Sequence, residues 1–142
     1  MKPVIDHLQI TVRDLKIAEP FYDKFLSVLG FDLNLKKKGR VAKHDFDVIE
    51  YSHPSLIFGI NSPREAYKEE IVHRRKPGAL HHLVFKAESR EEVDDAFLQM
   101  KIIGANIVEE PKLFPQHGEK YYAFYFKDPE GIKYEIVYEE RN

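Results

Sequence analysis

Seven histidines and no cysteine occur in this chain of 142 residues, so imidazoles and carboxylates are its main donors for a borderline metal ion. Two of the histidines recur in one context. His7-Leu8 lies in Val4–Val12 and His82-Leu83 in Ala79–Ala87, two runs rich in Val, Ile or Leu that read as strands. Neighbours on a strand face opposite sides, so His81 and His82 compete for one face; alignment of the two runs sets His82 on His7. Glu135 stands out differently, flanked by Tyr134 and Ile136 in an apolar run. An unpaired carboxylate on a buried face is costly, so a metal or a basic partner is expected there. The bland readings are a hydrogen-bonded strand histidine at position 7 and a solvent-facing Glu135 on an edge strand.

The elements that position these residues are written twice. After the first strand, Asp14 is an N-cap candidate for a helix carrying Ala18, Phe21, Tyr22, Phe25, Val28 and Leu29 at helical spacing and stopping at Gly30. Pro20 predicts that this helix starts late or kinks. The second helix opens on a Ser89/Glu92 capping box, turns Val93, Ala96, Phe97 and Met100 to one face, and ends at Gly104. Three strand-like runs follow each helix: Phe31–Leu35, Asp45–Tyr51 and Ser55–Ile60, then Asn106–Glu109, Tyr121–Lys127 and Ile132–Tyr138. His53-Pro54 and Asp128-Pro129-Glu130-Gly131 supply turns. The chain thus reads as α+β, a single domain of two β-α-β-β-β modules over about 1–60 and 79–142, joined by a charged, partly helical excursion over 61–78.

Such a tandem chain, opening on Asp6-His7-Leu8, resembles the vicinal oxygen chelate superfamily of glyoxalases, bleomycin-resistance proteins and extradiol dioxygenases. The likeness runs through Val12-Arg13-Asp14-Leu15, Leu29-Gly30-Phe31 and Gly78-Ala79-Leu80-His81-His82-Leu83, and ends in Asp128-Pro129-Glu130-Gly131 and Tyr134-Glu135. It implies a curled mixed sheet around a cavity with helices outside, and a mononuclear site in which His7, His82 and Glu135 hold one divalent ion. That donor set suits Fe and also accepts Mn, Zn, Ni or Co. Glyoxalase I-like relatives carry a further Glu or Gln on the strand matching Ser55–Ile60, where it moves the substrate proton; no inward-facing replacement is evident there, which argues against a lactoylglutathione lyase. Tyr125, ten residues before Glu135, resembles the tyrosine beside the metal of extradiol dioxygenases, and His117 roughly matches their acid/base histidine. Gln9 and Thr11 share a strand face with His7 and are expected to orient the substrate; the thiol transferases of fosfomycin resistance usually have Thr where Gln9 stands.

Composition narrows the partners. With 22 basic and 24 acidic residues, the chain lacks the net basic face a nucleic-acid binder needs. Lys36-Lys37-Lys38-Gly39-Arg40 and His73-Arg74-Arg75-Lys76 read as solvated turns, the second also able to attract an anionic substrate. No apolar run reaches the roughly 20 residues of a membrane span and no signal segment is seen, so no membrane association and a cytoplasmic location are expected. The resemblance implies a homodimer and a small-molecule substrate. A metal-dependent lyase, isomerase or dioxygenase is the leading expectation, with a non-catalytic drug-sequestering protein of the same fold as the alternative.

Overall fold

In the computed structural model, residues 1–140 are described. The alternation of apolar and polar side chains sorts each sheet into a helix-covered face and an open face. The chain forms two compact units, Met1–Ile71 and Val72–Asn142. In the first, β1 (His7–Thr11), α1 (Leu15–Val28), β2 (Asp32–Val41), β3 (Phe46–His53) and β4 (Leu56–Asn61) form a four-stranded sheet of order β1-β4-β3-β2. The second has β5 (Leu83–Lys86), α2 (Arg90–Ile102), β6 (Asn106–Leu113), β7 (Tyr122–Lys127) and β8 (Lys133–Tyr138), in the order β5-β8-β7-β6. Each sheet is mixed and open: the first and last strands of a unit run parallel and the others antiparallel. The fold is therefore the α+β arrangement that the internal repeat implies. No helix among the described residues is long and apolar enough to cross a membrane.

α1 starts at Leu15, directly after its N-cap, where the Asp14 carboxylate accepts from the Lys16 amide at 2.9 Å. Pro20 lies inside the helix rather than at a late start. It gives up the amide bond to the Lys16 carbonyl, and a helix-interior proline costs about 3 kcal/mol. Phe21, Tyr22, Phe25 and Leu26 are buried along the same helix, and each such side chain contributes about 1.5–3 kcal/mol, so the apolar stripe prevails. Tyr22 stacks on Phe58 of β4, and the Tyr51 hydroxyl of β3 donates to Asp23 at 2.8 Å. Burial, reinforced by Asp23, pushes the Tyr51 phenol far above its usual range.

Both helices end alike. Gly30 and Gly104 have φ of 90° and 80°. The next amide reaches back to the helix, Phe31 to the Leu26 carbonyl and Ala105 to the Met100 carbonyl, both at 3.0 Å. These are Schellman motifs, which need a left-handed residue at their centre. A Cβ on Gly104 would meet nothing within 4 Å, so Gly104→Ala isolates the backbone cost. Urea unfolding is expected to show a loss of about 1–2 kcal/mol.

α2 packs its expected face, Val93, Ala96, Phe97 and Met100. The Ser89 hydroxyl accepts from the Glu92 amide at 3.0 Å, but the reciprocal Glu92 bond goes to the Glu88 amide rather than to Ser89. β2 and β6 run on to Val41 and Leu113, beyond the Leu35 and Glu109 expected from apolar alternation. Both extensions are rich in charged side chains, KKKGR and EPK, and their backbones pair with the neighbouring strand regardless of polarity. The excursion between modules holds one short 3₁₀ turn, Glu65–Tyr67.

Candidate functional site

Phe124 and Phe126 of β7, and Tyr134 and Ile136 of β8, are buried on the α2 side, with Phe124 edge-on to Phe97 at 5.6 Å. Alternation therefore turns Tyr125 and its ladder partner Glu135 to the opposite face. That face is covered locally. Phe114, Ala123, Tyr125 and Val137 cluster there with Tyr121 packed against them, and Glu135 is only 1% exposed. The Tyr121 hydroxyl donates to Glu135 Oε1, and the Tyr125 hydroxyl bonds the same carboxylate. Burial, aided by Glu135, raises both phenols above the usual tyrosine range. In an ultraviolet titration of the eight tyrosines, Tyr121, Tyr125 and Tyr51 are expected to ionise above the usual tyrosine range. Because their native pKa values lie above the unfolded one, their stabilising contribution is complete below about pH 10 and is lost as pH rises through the native values; Tyr51→Phe should shallow that alkaline loss.

His82 lies immediately before β5, so strand alternation does not separate it from His81: the rings touch, Nδ1 to Nδ1 at 2.7 Å. Of the two, it is His82 whose Nε2 stands 3.5 Å from Glu135 Oε2. The His81 imidazole is held below its usual range by desolvation, then by His82, Arg74, Lys133 and Arg75. A neutral His81 can accept from His82 Nδ1–H, which leaves the lone pair of His82 on Nε2, facing a carboxylate oxygen. In that tautomer the two acceptors would share a cation; in the other, His82 Nε2–H points at Glu135 itself. Ligands about 2.1 Å from one ion at ordinary angles stand about 3.0–3.5 Å apart, so the His82–Glu135 spacing fits a shared divalent ion. His117 is exposed, its ring 5.2 Å from Tyr121 and 6.2 Å from Phe114. Lys133 Nζ lies 4.8 Å over the Tyr125 ring, and desolvation lowers its pKa ahead of the nearby Arg74 and Lys127 charges.

In the first unit His7, Gln9 and Thr11 are exposed on β1, alternating with the buried Ile10. His7 Nδ1–H donates to Asp6 Oδ2 at 2.7 Å, a contact that orients the ring and leaves the lone pair on Nε2. Gln9 Oε1 accepts from Asn61 Nδ2 at 3.2 Å. Among the described residues, no group of three or more His, Asp or Glu is gathered to hold an ion. Tyr121 is the participant that the sequence reading passed over. Its signal was present, since it shares strand parity with Ala123 and Tyr125, but it precedes β7 and resembled a strand-end aromatic.

The profile of the glyoxalase/bleomycin resistance protein/dioxygenase superfamily matches residues 4–136. The chain belongs to that superfamily. Within it, this glyoxalase-family chain is 27% identical over 131 residues to an uncharacterised Bacillus subtilis protein, YqjT, covering 92% of this chain and 95% of that one. It is 29% identical over 135 residues to the 2,2',3-trihydroxybiphenyl dioxygenase of Sphingomonas paucimobilis, covering 93% of this chain but 40% of that enzyme. Among solved structures, a glyoxalase/bleomycin resistance protein from Albidiferax ferrireducens T118 superposes with a TM-score of 0.66 at 26% identity, over 96% of this chain and 98% of the other. A family domain from Frankia sp. EAN1pec reaches 0.78 at 20% identity over 99% and 100% of the two chains, a likeness of fold.

Proposed function

We propose that this glyoxalase-family protein is a divalent-metal-dependent enzyme acting on a small molecule with two adjacent oxygens, with His7, His82 and Glu135 as the ligands. The observation that carries the reading is the buried Glu135 carboxylate, with one oxygen on a tyrosine hydroxyl and the other 3.5 Å from His82 Nε2. A divalent ion held there supplies Lewis-acid activation of the substrate oxygens. Tyr121 and Tyr125 orient the carboxylate through their hydroxyls, and His81 and Asp6 engage Nδ1 of His82 and His7. Gln9 and Thr11 are assigned to substrate orientation, and His117, beside Tyr121, to moving a proton through its imidazole.

Among the family chemistries, ring cleavage of a catechol by a dioxygenase is favoured. Tyr125 lies directly across from Glu135, and one relative is a dioxygenase acting on a trihydroxybiphenyl. Lactoylglutathione lyase chemistry is disfavoured, because the position on β4 paired with Gln9 is Gly59 and offers no carboxylate. The protein is further assigned as a homodimer of the cytoplasm; light scattering that gives the monomer mass would overturn the first assignment.

The test is metal analysis followed by oxygen uptake. Purified protein is expected to hold about one divalent ion per chain, and the ferrous-loaded form to consume oxygen with catechol. A chain that takes up no ion is a binding module of this fold; ion uptake without oxygen consumption removes the dioxygenase assignment alone.

A further inference from the structure

The two units share a register, and it exposes an exchange of residues. In the second unit Val84, Glu135 and Tyr125 stand side by side across β5, β8 and β7. The matching row across β1, β4 and β3 is Gln9, Gly59 and Glu50. The carboxylate of the first unit has thus moved one strand outward, from the place of Glu135 to the place of Tyr125. Gly59 cannot regain it without displacement, because a Cβ there would lie 2.9 Å from Gln9 Cγ. The Gln9 side chain lies over the glycine with its amide oxygen bonded to Asn61, and an amide takes up no proton at neutral pH.

Glu50 faces the same side as Gln9. Its neighbours Ile49 and Tyr51 are buried at 4% and 0% exposure, and the Tyr51 hydroxyl bonds Asp23 of α1. Alternation therefore sets Glu50 on the open face with His7, Gln9 and Thr11. Adjacent strands lie about 4.8 Å apart, so Glu50 stands one strand from Gly59, flanking the Gln9 side chain that covers the glycine from β1. Glu50 is half-buried, yet among the described residues its carboxylate has no hydrogen-bond or ion-pair partner. On the helix side Lys36 pairs with Asp23 and Lys38 with Glu19, whereas Lys37, the ladder partner of Glu50 on β2, shares the open face with it without forming an ion pair among the described residues.

We propose that Glu50 is the catalytic base on this face: its carboxylate takes the proton that a hydroxyl of a vicinal diol gives up, on the surface it shares with His7 and Gln9. In that step the substrate O–H bond breaks, its electron pair stays on the substrate oxygen, and the proton becomes the O–H of a Glu50 carboxylic acid. Solvent later removes it. The inference rests on the metal-dependent reading above and adds to it the residue that ionises the substrate.

The experiment uses the whole chain loaded with zinc, which supports no oxygen chemistry, and 4-nitrocatechol, whose visible spectrum distinguishes its singly and doubly deprotonated forms. Wild-type protein in neutral buffer is expected to bind the dianion. Glu50→Gln should bind the monoanion at least about ten-fold more weakly, the scale of losing one charged hydrogen-bond partner. Glu50→Asp should restore the dianion spectrum, and zinc content and thermal unfolding should match wild type in both variants. If Glu50→Gln binds the dianion with wild-type affinity, or zinc-loaded wild type fails to bind it, Glu50 is not the base although the metal reading stands. If wild-type protein holds no zinc, the metal reading fails, and this inference with it.

Discussion

Replacing Glu135 by alanine is expected to weaken binding of a divalent ion by more than about 100-fold. Loss of a residue that merely supports a ligand typically costs 10–100-fold, and Glu135 is assigned as a ligand itself. Its carboxylate is buried to 1% exposure and held by the Tyr121 hydroxyl. Isothermal titration with zinc gives the affinity directly. Thermal unfolding gives an independent reading: an ion present at 100 times its dissociation constant stabilises the native state by about 2.7 kcal/mol. Wild-type protein should therefore unfold at a higher temperature with zinc, and Glu135→Ala should not respond. His82→Ala is expected to behave likewise. Tyr121→Phe should retain the ion more weakly, because it removes a donor to Glu135 Oε1 and leaves the carboxylate in place. Equal zinc affinity in wild type and Glu135→Ala would sink the assignment.

The largest loss of stability is expected from Phe124→Ala. Phe124 is fully buried, edge-on to Phe97 of α2 and stacked at 5.5 Å on Phe126. Truncating such a side chain removes its burial and leaves a cavity, together about 3–5 kcal/mol. A domain's whole stability is about 5–15 kcal/mol, so the loss is a large fraction of it and is readable by urea unfolding. It also bears on the site. Phe124 and Phe126 anchor β7 to α2, and that anchoring turns Tyr125 toward Glu135. Weaker zinc binding in folded Phe124→Ala is expected as a secondary effect. A destabilisation below about 1 kcal/mol would mean that the pocket under α2 closes around the smaller residue.

Much of the architecture is legible along the chain because it depends on local rules. Strand alternation, the capping residues Asp14 and Ser89, and the glycines that end both helices are short-range requirements, and they occur twice in matched order. The β-α-β-β-β repeat follows from them. So does the anomaly of Glu135, since a carboxylate between Tyr134 and Ile136 in an apolar strand is unusual wherever that strand packs. α1 starts at Leu15 and runs through Pro20: propensity is local, whereas the burial of Phe21, Tyr22, Phe25 and Leu26 that outweighs it is tertiary.

Side-chain partnerships needed the folded chain. The pairing of Tyr121 with Glu135 joins residues fourteen apart, and only the β7–β8 register with the packing of Phe114 brings them together. His81 and His82 could not be separated by strand alternation, because β5 begins after both and their rings lie in contact; the reach of His82 Nε2 to Glu135 is what distinguishes them. Glu50 is one charge among many until β3 and β4 set it beside Gly59. A sequence dictates which face each residue takes within its own strand, because that depends on backbone pleat alone. Which residues meet across strands depends on register, a sum of many weak contacts that no single segment encodes.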